Sequence, residues 1–162
     1  MINSGQPFYM NNKVISKSLS RYLAVQAIYN QSFGFDIKKI EKDFISQKDF
    51  HFNIDLDFDL ETKHFDKIFF KRIFNNVFEK EDYIYRLIKK NLNSDWTFSR
   101  LPKVLQAILK VAISEMISYP KTSMGIIVTE YLMLAESFSI EKENSFINAI
   151  LDNIHKGLEE NE

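Results

Sequence analysis

The sequence predicts an all-α protein of about seven helices. Only 4 Gly and 3 Pro interrupt the 162 residues, too few breakers for a many-turned β fold. Apolar side chains, 45% of the chain, recur at three- and four-residue intervals along most of its length. The one run of period two stands alone, with no partner strand to pair with. This length and apolar content suffice for one domain with a substantial core and exclude a disordered chain.

Residues 1–12 read as a flexible polar extension. The first helix covers 14–33, with Leu19, Tyr22, Leu23, Gln26, Ala27, Asn30 and Phe33 along one side and Gly34 as its stop. A second, shorter helix covers 36–48, with Ile37, Ile40, Phe44 and Ile45 apolar. Phe52, Ile54, Leu56, Phe58 and Leu60 then alternate with Asn53, Asp55, Asp57 and Asp59. A lone strand has no pairing partner, so an extended loop with its apolar side packed down is expected there.

Helices over 61–76 and 79–92 carry the stripes Phe65, Ile68, Phe69, Ile73, Phe74 and Tyr83, Ile84, Leu87, Ile88. The polar break at 91–95 is followed by Pro102, which suits the first turn of a helix running to about Tyr119, where Pro120 helps to stop it. Thr122 or Ser123 caps the next helix, which ends near Phe138. Ser139 is the expected cap of the last, with Glu141 and Glu143 near its positive end and Gly157 opening the tail. The expected organisation is one helical domain over 13–158, with subdomains of about 13–92 and 96–158 sharing a core, and a tail at 159–162.

Enzyme chemistry finds little support. The absence of cysteine removes disulfides, thiolate metal sites and cysteine nucleophiles. His51, His64 and His155 do not pair at helical spacing, and no GxSxG, GxGxxG or Walker A pattern occurs. The neighbouring acids Glu41/Asp43, Asp55/Asp57/Asp59 and Glu159/Glu160 lie in polar stretches and are weak evidence for acid–base catalysis. No catalytic residue, metal or cofactor is therefore expected. No apolar run of about 18 residues predicts a membrane span, and the N-terminus lacks the layout of a secretory signal, so the expected location is the cytoplasm.

Net charge is −1, but unevenly spread. Residues 1–33 hold Lys13, Lys17 and Arg21 and no acid, hence +3; the remainder, 18 basic against 22 acidic, is −4. The three cations recur every four residues, and each such step of about 400° drifts the stripe only slightly, about 80° in all. Such a basic face is either an ordinary solvated one or an electrostatic footprint for phosphate. Three contacts to a single strand would release about two counterions, so tight binding would also need base contacts or a second protein. Tyr22 and Tyr29, beside the stripe, either stack bases or pack into the core.

Polar residues inside apolar helices are the other signal. Ile108, Val111 and Ala112 precede Glu115 by seven, four and three, which puts this carboxylate on the apolar side of its helix. Burial there requires hydrogen-bond partners. Glu115, or Glu130 on the next helix, is expected to tie neighbouring helices together. Asn148 lies within the run Phe146-Ile147-Asn148-Ala149-Ile150-Leu151, either as a core hydrogen-bond bridge or on a recognition surface. Trp96 and Arg100, four apart, would stack if helical or pack at the start of the second subdomain.

Two stretches carry a family resemblance. Ser20-Arg21-Tyr22-Leu23-Ala24-Val25-Gln26-Ala27-Ile28-Tyr29 resembles the opening helix of the NusB family, an arginine-rich lead followed by an Ala-x-Gln-Ala-Leu-Tyr-like run. From Trp96 to Ile154, the order Arg100, Leu101-Pro102-Lys103-Val104, Ala107-Ile108-Leu109-Lys110-Val111-Ala112, Glu115, Glu130, Phe138 and Phe146-Ile147-Asn148-Ala149-Ile150-Leu151-Asp152 resembles the same family. Residues 35–95 match only in helical character.

The resemblance implies two packed helical bundles and a non-enzymatic role. It implies binding of boxA-type RNA together with the ribosomal protein NusE, in an elongation complex with RNA polymerase and other Nus factors that reads through terminators in ribosomal RNA operons. It assigns Lys13, Lys17, Arg21, Tyr29, Phe146 and Asn148 to RNA, and Tyr29, Leu105 and Phe146 to the partner. Departures are specific: Ser18 and Leu19 stand at positions often basic, Leu105 at one commonly acidic, Ser114 at one usually aromatic and Ser145 at one often basic. A protein-interaction module of the same fold without RNA binding is the alternative. Related domains occur fused to RNA cytosine methyltransferases; with the sequence ending at Glu162, a methyltransferase is not expected.

Overall fold

The computed structural model describes residues 12–46 and 65–161. The alternating run at 52–60, His51, His64 and the first eleven residues lie outside the described residues. Seven α-helices occur among those described: α1 (Asn12–Gln31), α2 (Ile37–Ser46), α3 (Lys67–Glu79), α4 (Glu81–Asn91), α5 (Lys103–Ser118), α6 (Met124–Ser137) and α7 (Asn144–Glu160). Short 3₁₀ turns at Phe98–Arg100 and Glu141–Glu143 precede α5 and α7.

The fold is organised around α5. Its sequence is apolar on nearly every side, as an enclosed helix requires. From Leu105 to Met116 only Gln106 and Lys110 escape burial. Helices α1, α2 and α3 pack together, and α1 and α3 lie against one side of α5; α4, α6 and α7 lie against the rest of it. The two bundles therefore share α5, and one hydrophobic cluster runs through both. The polar break at 91–95 does not divide them, because α4, which precedes it, packs on α5 and α7.

Local chemistry sets the ends of the helices. Gly34 at φ 93° takes the left-handed backbone that lets the chain leave α1. Asp66 caps α3 by accepting a hydrogen bond from the Phe69 N–H at 2.9 Å. The Ser20 hydroxyl donates to the Asp66 carbonyl oxygen at 2.8 Å, which fastens the start of α3 to α1. Ser123 caps α6 by accepting from the Ile126 N–H.

Two expectations are corrected at the last helix. Ser139 does not cap α7; it ends α6. Its φ is 60°, its N–H donates to the Glu136 carbonyl, and the Ile140 N–H donates to the Ala135 carbonyl, the paired bonds of a Schellman motif. Gly157 lies inside α7, which continues to Glu160, so the helix extends into the expected tail. One interior glycine costs about 1 kcal/mol relative to alanine, too little to break a packed helix.

Phenylalanine builds the interface of α2 and α3. Phe70 stacks on Phe74 (5.6 Å between ring centres) and Phe44 (6.1 Å), and meets Phe65 edge-on at 5.7 Å. Across α3 and α5, the Ser114 hydroxyl donates to the Ile73 carbonyl at 2.6 Å, so a small residue brings the two helices close. Replacing Phe70 with Ala is expected to lower the unfolding free energy by about 3–5 kcal/mol in urea denaturation; a loss below about 1 kcal/mol would show that this cluster is not part of the cooperative core.

Candidate functional site

The three cations of α1 have separate fates. Arg21 is 4% exposed and Glu115 is 0% exposed. Arg21 Nε and Nη2 donate to the two Glu115 carboxylate oxygens at 2.7 and 2.8 Å, a bidentate pair. The Tyr131 hydroxyl donates to Glu115 Oε1 at 2.8 Å. Glu130 lies 3.5 Å from Arg21 Nη1 and accepts from the Ser18 hydroxyl at 2.9 Å. The network thus joins α1, α5 and α6. Burial alone would lower the pKa of Arg21, but the hydrogen bond and charge of Glu115, with smaller help from Tyr131 and Glu130, hold it above the ordinary arginine value. Burial raises the pKa of Tyr131 well above 10.0, and the Glu115 charge adds to it.

Arg21 is therefore not part of a solvent-facing stripe, which corrects the expectation that all three cations present themselves to phosphate. A drift of about 80° along the helix is enough to carry the third residue inside. Lys13 is exposed and Lys17 half-buried. Lys17 Nζ sits 5.3 Å from the centre of the Phe69 ring, and the Arg21 guanidinium lies 5.1 Å from the same ring.

Above this network lies a groove of about 710 Å³, lined by Lys13, Val14, Lys17 and Arg21 of α1, the turn from Ser118 to Ser123, and Ile126 and Glu130 of α6. It presents three lysines, Lys13, Lys17 and Lys121. The one carboxylate in its lining, Glu130, is engaged by Arg21 and Ser18. Such a surface suits phosphate with some apolar contact from Val14 and Ile126, both exposed. Among the described residues, no group of three His, Cys, Asp or Glu is placed to hold a metal ion, and no helix is long and apolar enough to cross a membrane.

The remaining predicted residues fall elsewhere. Tyr29 lies near the other end of α1, about 24 Å along the axis from Lys13, half-buried and edge-on to the exposed Phe33 at 5.1 Å. Lys103 Nζ lies 4.5 Å from the Phe33 ring centre. Phe146 packs on the exposed Trp96 at 5.8 Å. The chain from Trp96 to Arg100 is not α-helical, so the spacing of four does not bring these two side chains together as a helix would. Asn148 is exposed, outside the core; Ile147, Ile150 and Leu151 turn inward. Leu105 is 1% exposed, so it packs inside and does not present itself to a partner, a correction that follows from the enclosure of α5.

Sequence reasoning misses Lys121, Tyr119 and Tyr131 as members of the site. Lys121 stands a hundred residues from Arg21, and no local pattern links them. Tyr131 follows Glu130 in an apolar helix, and a phenol there is the available signal for a buried hydrogen-bond donor.

The comparisons agree with this architecture. The model of the NusB family matches residues 18–156. Transcription antitermination protein NusB of Rickettsia massiliae (strain Mtu5) is 30% identical over 153 residues, covering 90% of this chain and 95% of the relative. The protein of the same name from Sinorhizobium fredii (strain NBRC 101917 / NGR234) is 30% identical over 154 residues, 94% of this chain and 92% of the relative. Among solved structures, a chain from the antitermination factors NusB and NusE in complex with dsRNA superposes with a TM-score of 0.71 at 19% identity, covering 88% of this chain and 98% of that one. NusB of T. maritima gives 0.66 at 22% identity, covering 86% and 89%. At these identities the structures show the fold.

Two outcomes follow from the buried network. Glu115→Gln removes the principal counter-charge of Arg21, leaving only Glu130 at 3.5 Å, and is expected to cost about 3 kcal/mol of stability in urea denaturation; a cost under about 1 kcal/mol would contradict the network's role. The unfolded chain releases the Tyr131 proton near pH 10.0 while the folded chain holds it, so stability is full below that pH and falls as pH rises above it. Tyr131→Phe is expected to make this alkaline decline shallower; Tyr22 and Tyr119, also raised by burial, contribute to it as well. An unchanged slope would show that Tyr131 titrates normally.

Proposed function

The chain belongs to the NusB family, and from that premise we propose that it is a transcription antitermination factor that binds boxA-type RNA together with the ribosomal protein NusE. The observation that carries the RNA reading is the groove with Lys13, Lys17 and Lys121 on its walls and its one carboxylate already engaged. The lysines receive phosphates. Arg21 works from behind, fixing α1 against α5 and α6 so that Lys13 and Lys17 face the groove.

Trp96 and Phe146 form a second contact region, two rings suited to an unpaired base, and the exposed Asn148, two residues on along α7, offers an amide to the same RNA. Tyr29 and the exposed Phe33 beside it offer an apolar surface to NusE. Three phosphate contacts give a salt slope of only about −2, so affinity depends on the partner sharing the RNA. The complex acts with RNA polymerase and other Nus factors to read through terminators in ribosomal RNA operons, in the cytoplasm, without a cofactor or a catalytic step. The burial of Arg21, the one arginine of the basic lead, favours the rival reading of a protein-interaction module without RNA binding.

Fluorescence anisotropy of a labelled boxA-type RNA, titrated with the protein with and without NusE at two salt concentrations, separates the two readings. The expected result is salt-sensitive binding that NusE tightens and that Lys17→Glu weakens severalfold while the protein stays folded by circular dichroism. No binding even with NusE present would select the interaction module.

A further inference from the structure

A second groove, of about 610 Å³, follows the outer face of α3 and is lined by Ile68, Lys71, Arg72, Asn75, Lys80 and Ser118 among others. Ser118 lines both grooves. Side-chain contacts join them as well. The Arg72 guanidinium lies 5.1 Å from the Tyr119 ring centre, Tyr119 lies 5.0 Å from Phe69, and Phe69 carries Lys17 on its face. Cations of α1 and α3 thus rest on one aromatic spine.

The charge of the second groove is basic. Lys71, Arg72 and Lys80 outnumber Glu79 in its lining, and Glu41 reaches Lys71 only at 3.9 Å, with the lysine side chain still 53% exposed. Ile68, 79% exposed, adds an apolar surface beside the cations. Cations interleaved with apolar and aromatic side chains are what a single strand needs, phosphates on the first and base faces on the second.

We propose that the two grooves form one continuous track for single-stranded RNA, in which α3 holds the phosphates of the segment flanking the boxA-type element. This rests on the reading that the α1 groove binds RNA. The track runs from Lys13 and Lys17 past Lys121 and Tyr119 to Arg72, Lys71 and Lys80. It doubles the phosphate contacts from three to six, and so deepens the salt slope from about −2 to about −4 for an RNA long enough to fill it.

The test compares a labelled boxA-type RNA with the same RNA extended by about ten uridines at each end, a length within the range of single-strand sites. Affinity is measured by anisotropy across a salt series for the wild-type protein, for Lys17→Gln and for the double variant Lys71→Gln with Lys80→Gln. The lysines of the double variant are exposed, so its melting temperature is expected to stay at the wild-type value. The expected result is a steeper slope and tighter binding for the extended RNA. The double variant loses about 1.4 of that slope on the extended RNA, two contacts at about 0.7 each, and leaves the short RNA unaffected.

Equal affinity and slope for the two RNAs, or a double variant that matches wild type on the extended RNA, would overturn the track. If Lys17→Gln still weakens the short RNA, the RNA reading of the α1 groove survives that failure. Binding of neither RNA would overturn both. Loss of NusE binding in the double variant with RNA affinity intact would assign the α3 face to protein and overturn the track.

Discussion

The structure depends on a charge pair placed where water does not reach. Arg21 and Glu115 meet through two hydrogen bonds in the interior, and Tyr131 completes the carboxylate's shell. Removing two charges from water is costly, and only close geometry with satisfied hydrogen bonds offsets it. What the pair supplies is register. A bidentate contact has one good geometry, so α1 is fixed in rotation and height against α5, and Tyr131 fixes α6 against both. Apolar contacts alone would tolerate sliding; this arrangement does not.

That constraint reaches the surface. With Arg21 held inside, Lys13 and Lys17 are set on the adjoining side of the same helix, and the turn from Tyr119 to Ser123 is set beside them by the ends of α5 and α6. The same aromatic ring, Phe69, supports Lys17 and Arg21 together. The basic lead is thereby divided into a member whose charge is spent inside and two that present theirs to the groove. A groove of a few lysines binds weakly by itself, which fits the proposed reading in which a partner completes the affinity.

Much of the fold is legible in the sequence, because apolar stripes of helical period leave little choice of element. The position of Glu115 on the apolar side of its helix is legible for the same reason. The partners of Glu115 are not: the approach of Arg21 to Glu115 is set by tertiary packing, and an i, i+4, i+8 stripe reads as one face although its last member has turned inward. The burial of Leu105 is also legible, since a helix apolar on nearly every side is covered on nearly all of them; its assignment to a partner comes from the family resemblance and not from the pattern of α5. Ser139 suggests a cap for the helix after it, since serine favours caps; the backbone uses it, at positive φ, to end the helix before it. Lys121 and Arg72 become visible only when the fold brings α3 and the α5–α6 turn beside α1.

A double-mutant cycle on Arg21 and Glu115 tests the central claim most directly. Unfolding free energies would be measured for Arg21→Met, for Glu115→Leu and for both together. If the buried pair sets the packing of α1 on α5, each single change deprives a buried charge of its main partner and costs several kcal/mol, and the double change recovers a large part of the loss. Losses that simply add, within about 0.5 kcal/mol, would mean that the two residues act independently and that the pair is not what holds the helices in register.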